Sequence, residues 1–223
     1  MLDSAPAFRN VAAADLARLA ASATALSLRD AQSIFARGDE AGRVYLILSG
    51  TVRISTLAPT GKRIVVEIFK RGELFGEIAA IDGGHRTADA TAMGPTDILA
   101  IPVSAFREIM RSSAPLANNL LRMANQRLRR TYSLLEDASL HPIEMRLAKQ
   151  VLYLVRLGTT GDVRLRLRVR MNQDELADLL GITARSVITV LNKWRGDGLV
   201  EFDGRTAQLT IIDLARFRAL VGE

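Results

Sequence analysis

Met171–Gly198 reads "MNQDELADLLGITARSVITVLNKWRGDG", two short amphipathic runs hinged at one glycine. Asn172 followed three residues later by Glu175 has the spacing of a reciprocal helix cap, with Asn in place of the more usual Ser or Thr. Leu176, Leu179 and Leu180 give the first run an apolar face, and Gly181 permits the left-handed backbone that ends a helix abruptly. Thr183 can cap the second run, with Ser186 in its first turn. Val187, Val190, Leu191 and Trp194 supply its buried face, and Ala177 is small where two crossing helices approach. The spacing predicts a helix-turn-helix.

Any helical hairpin would explain the leucines and Gly181 equally well; the flanks decide. Upstream, "VRLRLRVR" (163–170) alternates arginine with Leu or Val, the pattern of a strand with one basic face. Downstream, "GLVEFDGRTAQLTII" (198–212) puts Asp203-Gly204 between two apolar runs, a hairpin signal. Strand, helix-turn-helix and hairpin together make a winged helix. Its second helix, Thr183–Trp194, would lie in the major groove of double-stranded DNA. Arg185 suits guanine O6 and N7, Thr183 and Ser186 suit phosphate at the helix start, and Thr189 a thymine methyl or phosphate one turn on. Lys193 and Arg205 suit the DNA backbone, or are simply solvated charges.

Further upstream, "HPIEMRLAKQVLYLVRL" (141–157) predicts a helix starting near Pro142, and 102–140 contain no glycine. Within that stretch Ala117, Leu121, Ala124, Leu128, Thr131, Leu135 and Ala138 recur at alternating spacings of four and three, a heptad seam suited to a partner helix. An ordinary amphipathic helix packed on its own domain is the alternative. From about 24 to 102 the texture is β. "VYLIL", Ser49-Gly50 and "TVRIS" read as strand, turn, strand; "IVVEIF" and "DILAIP" follow. Many short strands at regular spacing predict a barrel or roll. "VAAADLARLAA" (11–21) predicts a short helix before it.

The 223 residues carry a net charge of +6, which favours polyanion partners without choosing one. There are no cysteines, which excludes disulfides, cysteine-ligated clusters and a thiol nucleophile. Neither a basic-then-apolar leader nor a membrane-length apolar run is present, so a cytoplasmic protein is expected.

"GEIAAIDGGHRTA" (76–88) places an acid, Glu77, nine residues before a base, Arg86, with Thr87 beside it. The two charges fit a structural ion pair, a catalytic pair, or the two ends of a cradle for one ligand. At this point the chain as a whole resembles the Crp–Fnr family of bacterial transcription regulators: a roll, a long dimer helix and a C-terminal winged helix. Gly76-Glu77 followed by Arg86 resembles that family's phosphate-binding cassette, shared with the regulatory domains of cyclic-nucleotide-dependent kinases. The resemblance implies a cyclic nucleotide contacted by Gly76, Glu77, Ile78, Arg86 and Thr87. Glu77 would accept from the ribose 2′-hydroxyl and Arg86 would pair with the cyclic phosphate. Thr131 matches a threonine that reads adenine, whereas Tyr132 stands where some members have serine. Ala184-Arg185 and Thr189 also depart from the enteric pattern, so a different operator is expected.

The resemblance therefore implies an α+β protein. Residues 1–112 would form a cyclic-nucleotide-binding β-roll, 113–140 a dimerisation helix and hinge through Leu121, Ala124, Leu128, Thr131, Leu135 and Ala138, and 141–223 a winged helix. The expected effector is cyclic AMP, with cyclic GMP kept open by Thr87. The expected partners are a second copy, a palindromic operator and, for an activator, RNA polymerase. A haem sensor using His85 is a second reading. An enzyme pairing Glu77 with His85 is a third, disfavoured because no metal-ligand cluster, nucleophile elbow or phosphate loop accompanies them. No catalytic residue, metal or cofactor is expected.

Overall fold

The computed structural model describes residues 2–59, 61–156, 165–166 and 171–223. The chain divides into two compact units, Met1–Thr56 with Val66–Thr131 and Leu57–Val65 with Tyr132–Glu223.

α1 (Ala13–Ser22) precedes strands β1 (Thr24–Leu28), β2 (Ser33–Phe35), β3 (Arg43–Ser49), β4 (Thr51–Leu57), β5 (Arg63–Lys70) and β6 (Leu74–Phe75), which fall in the first unit except for Leu57 of β4 and Arg63–Val65 of β5. A short helix α2 (Glu77–Asp82) interrupts them before β7 (Asp89–Ala92) and β8 (Thr96–Pro102). The strands form two four-stranded sheets, ordered β1-β8-β3-β6 and β2-β7-β4-β5. Alternation puts Ile47, Val52, Phe75, Ala90 and Ile98 between the sheets, where they are buried together. A second cluster joins Phe8, Leu19, Ile101, Phe106 and Ile109 to the start of the long helix at Leu116 and Leu120.

The strands on either side of Ser49-Gly50 form as expected, but they do not pair with each other. β3 lies between β8 and β6 while β4 lies between β7 and β5, so the chain crosses from one sheet to the other at Gly50. Only glycine serves there: φ is +82°, and a Cβ would stand 2.4 Å from Thr96 Oγ1.

After α3 (Val103–Ser112), α4 runs Ala114–Leu140, with Pro115 in its first turn, where a missing N–H costs nothing. It carries two heptad seams one residue apart. Leu116 and Leu120 are buried, and Met123, Arg127, Arg130 and Leu134 are half-buried, along one face. The seam read from the sequence lies beside it and is exposed: Leu121 is 61% accessible, Leu128 47% and Leu135 64%.

The second unit contains α5 (Ile143–Arg156), β9 (Leu165–Arg166), α6 (Gln173–Leu180), α7 (Ala184–Gly196), β10 (Val200–Asp203), β11 (Gln208–Ile211) and α8 (Leu214–Ala219). Its sheet is ordered β10-β11-β9. The cap at Asn172 is reciprocal: Glu175 N donates to Asn172 Oδ1 at 2.9 Å and Asn172 N to Glu175 Oε2 at 2.8 Å. Gly181 ends α6 at φ +62°. Trp194 is fully buried edge-on against Phe217, with ring centroids 4.9 Å apart. The predicted hairpin forms, but Asp203 pairs with Gln208, so its connection is longer than a two-residue turn. Asp203 instead accepts from Arg205 N at 2.9 Å and Thr206 Oγ1 at 2.7 Å. Of the predicted basic strand, Leu165–Arg166 pairs with β11; the rest lies outside the described residues.

Candidate functional site

The segment from Gly76 to Thr87 folds around a buried cation. Arg86 is 4% exposed. Its Nη1 donates to Gly76 O at 2.7 Å and its Nη2 to Arg43 O at 2.6 Å. Gly76 is needed for this approach, because it has φ +75° and a Cβ there would stand 2.8 Å from Arg86 Nη1. The guanidinium lies 4.2 Å over the Phe35 ring. Burial holds its pKa below the usual guanidinium value, opposed by Tyr45, Asp39 and Glu77. Arg86 Nε is buried without a hydrogen-bond partner. A buried cation with an unused N–H beside a glycine turn suits a small anion with exposed oxygens.

Glu77, 8% exposed, begins α2. Of the readings left open for Glu77 and Arg86, a mutual ion pair is not what forms. Glu77 instead pairs with Arg127 of α4. Arg127 also donates to Leu74 O at 2.8 Å and lies 4.5 Å over Phe69. Three residues along, Arg130 Nε stands 3.2 Å from Glu67 Oε2. These α4 arginines did not stand out in the sequence, yet they occupy the second heptad seam in register with Leu116 and Leu120. That register was the available signal. Arg107 of α3 donates to the carbonyl of Ala80 and so holds the end of α2.

Ile78 is 49% exposed on α2, and Thr87 is exposed next to Arg86. Thr131 is exposed, and its hydroxyl donates to its own helix at Arg127 O, 3.0 Å. Tyr132 is 62% exposed on the same helix. His85 is exposed and bridges Glu40 through its backbone. Among the described residues no group of His, Cys, Asp and Glu is placed to hold a metal ion.

In the second unit, α7 presents Arg185, Thr189 and Lys193 exposed, with Ala184 and Ser186 half-buried. Thr183 caps the helix, accepting from Ser186 N at 3.2 Å, and the two hydroxyls lie 2.9 Å apart. Thr189 Oγ1 donates to Arg185 O at 3.0 Å. Lys193 is not a free charge: Nζ donates to Glu144 Oε2 at 2.7 Å, while Trp194 Nε1 donates to Glu144 Oε1 at 3.0 Å. One α5 carboxylate thereby ties the buried and exposed sides of α7 together. Arg205 is exposed in the β10–β11 connection.

The comparisons with known proteins agree with both units. Residues 25–113 match the cyclic nucleotide-binding domain, and residues 145–220 the Crp-like helix-turn-helix domain. The cyclic AMP receptor protein of Thermus thermophilus is 30% identical over 79% of each chain. The chain belongs to the Crp–Fnr family. A Crp-like cAMP-activated global transcriptional regulator of Mycobacterium tuberculosis is 29% identical over 94% of each chain. The structure of FixK2 from Bradyrhizobium japonicum superposes at TM-score 0.79 and 22% identity, covering 90% of this chain and 98% of that one. At that identity the likeness shows the fold. This Crp–Fnr chain is a DNA-binding transcription regulator with a cyclic-nucleotide-binding domain.

Proposed function

We propose that the protein is a homodimer whose affinity for a palindromic operator is set by a cyclic nucleotide held between Glu77 and Arg86. The Glu77–Arg127 pair carries this reading. Arg127 sits on the helix whose adjacent seam exposes Leu121, Leu128 and Leu135, so the ribose end of the ligand and the proposed dimer helix share one contact. A 2′-hydroxyl donating to Glu77 competes with Arg127 for the same carboxylate oxygens. Occupancy then changes what holds α4, and a ligand shifts an equilibrium only through such a difference between states. Burying the exposed leucine seam against a second copy brings two recognition helices onto half-sites ~34 Å apart.

On this reading Glu77 is a ligand contact rather than a general acid, and Arg86 takes the cyclic phosphate. Ile78 and Thr87 flank the cassette, and Thr131 and Tyr132 lie toward the base. Arg185 reads a base edge, while Thr183, Ala184, Ser186, Thr189, Lys193 and Arg205 follow the backbone and groove wall. Lys193 acts while anchored by Glu144. The names of the relatives favour cyclic AMP as effector, with cyclic GMP the other candidate. Among the described residues no helix is long and apolar enough to cross a membrane, and we place the protein in the cytoplasm, meeting RNA polymerase where it activates.

Calorimetric titration of the wild type and of Arg86→Gln with cyclic AMP and cyclic GMP tests the site. Saturable heat in the wild type that falls at least tenfold in affinity in the variant is expected. No heat with either nucleotide contradicts the reading.

A further inference from the structure

Arg185, Thr189 and Lys193 stand four residues apart on α7, so they form one exposed stripe. At a rise of ~1.5 Å per residue Lys193 lies about 12 Å along the helix from Arg185, away from the end that meets base edges. Its side chain is 58% accessible, yet its ammonium donates to Glu144 Oε2 at 2.7 Å. An exposed lysine–glutamate pair is ordinarily loose, because both side chains wander and water screens them. This one is built differently. The Glu144 side chain is 29% accessible and sits in the first turn of α5, where the helix dipole favours a carboxylate. Its other oxygen accepts at 3.0 Å from the indole N–H of Trp194, which is fully buried. The buried indole fixes the carboxylate, and the carboxylate fixes the lysine. The bond to Glu144, with added attraction from Glu144 and Asp197, also raises the Lys193 ammonium above its ordinary 10.5, so the lysine is charged and its charge is offset in place.

We propose that Glu144 sets sequence discrimination by positioning Lys193: it cancels the lysine's charge in sequence-independent binding and leaves it placed for one phosphate in the operator complex. This rests on α7 as the DNA-reading helix. Sequence-independent affinity comes from cations that neutralise phosphates, each adding about 0.9 to the slope of log affinity against log salt. A lysine already neutralised at a fixed place releases no counterion when the protein lies on DNA in an arbitrary register. An ammonium has three N–H donors and Glu144 engages one, so two remain for a phosphate oxygen that arrives at the right position. The contact then depends on register, whereas a mobile lysine meets a phosphate in any register. Specificity is a difference between two affinities, and lowering the competing one serves as well as raising the wanted one.

The test is fluorescence anisotropy of the full chain on an operator duplex selected from a random-sequence pool and on a scrambled duplex of the same composition, across a salt series, with both cyclic nucleotides present. Glu144→Gln keeps an amide oxygen for Trp194 and frees the charge of Lys193. It should tighten the scrambled duplex about three- to tenfold near ~0.1 M salt, steepen its salt slope by about 0.9, and move the operator duplex by less than about twofold. Made in a Lys193→Gln background, the same substitution should lose most of that tightening, because the charge it frees is gone. A merely structural Glu144 would lower the urea midpoint of tryptophan fluorescence and weaken both duplexes together, and that result overturns the assignment. So does tightening of both duplexes by the same factor, an unchanged salt slope, or a tightening that survives in the Lys193→Gln background. A wild type that binds neither duplex, or both alike, overturns the reading of α7 itself, and this proposal with it.

Discussion

Truncating Arg127 to alanine removes the cation from Glu77, whose side chain is only 10% accessible. The variant also loses the bond to Leu74 O and the stacking on Phe69. Breaking a buried pair from one side costs about 3–5 kcal/mol, because the remaining charge stays desolvated. Arg127 is itself 26% accessible, so water reaches the pair from one side and the lower end applies, about 3 kcal/mol. Glu77→Gln leaves an amide oxygen for Arg127 and should cost about 1.5 kcal/mol, the worth of a hydrogen bond to a charged group. The double variant strands no charge, so its cost should fall about 2 kcal/mol short of additive. Urea unfolding followed by far-UV circular dichroism, at one protein concentration, measures each term. The single tryptophan, Trp194, lies in the other unit, and its fluorescence transition should stay in place as an internal control. Additivity within about 0.5 kcal/mol, or a loss below about 1 kcal/mol for Arg127→Ala, would refute the argument that this pair holds α4.

Leu128 and Leu135 stand exposed on α4, and replacing both with lysine puts charges into the proposed seam; sedimentation velocity should then report a monomer where the wild type is a dimer. Glu144→Ala leaves the fully buried Trp194 N–H without its acceptor and should cost about 1–3 kcal/mol, read as a lower urea midpoint by tryptophan fluorescence. Burial raises the Glu73 carboxyl above its ordinary 4.5, against the hydrogen bond from Lys70 N and the attraction of nearby Lys70. The folded chain therefore holds that proton more tightly than the unfolded one. The associated stability is complete below pH 4.5 and is lost as pH rises through the folded value. Glu73→Gln should match the wild type near pH 4 and melt higher than it at neutral pH. A variant that melts lower at neutral pH contradicts the sign.

The second unit was legible because its signals are local. Asn172, Glu175, Gly181 and Thr183 act within a few residues of themselves, and each sits where spacing put it. The roll was legible as strands but not as pairings. Nothing local distinguishes a hairpin at Gly50 from a corner between sheets; the distinction is made by Thr96, forty-six residues away. The cassette showed Glu77 and Arg86 but not what neutralises them. Their spacing left an ion pair, a catalytic pair and a two-ended cradle open, because the partners lie elsewhere: Arg127 takes Glu77 and backbone carbonyls take Arg86. Leucines mark the exposed seam of α4 along its length. The neighbouring seam carries Arg127 and Arg130 between Met123 and Leu134, which breaks its apolar repeat. Lys193 looked like a solvated or phosphate-binding charge because Glu144 lies on another helix.

Control of DNA binding by a cyclic nucleotide is open to direct measurement. A duplex selected from a random-sequence pool in the presence of cyclic nucleotide gives the operator. Fluorescence anisotropy of that duplex, titrated with protein at fixed salt with and without nucleotide, then measures the coupling. A tightening of at least about tenfold is expected, the scale of ordinary allosteric coupling. Equal affinity in the two titrations, with nucleotide binding demonstrated on the same sample, contradicts it.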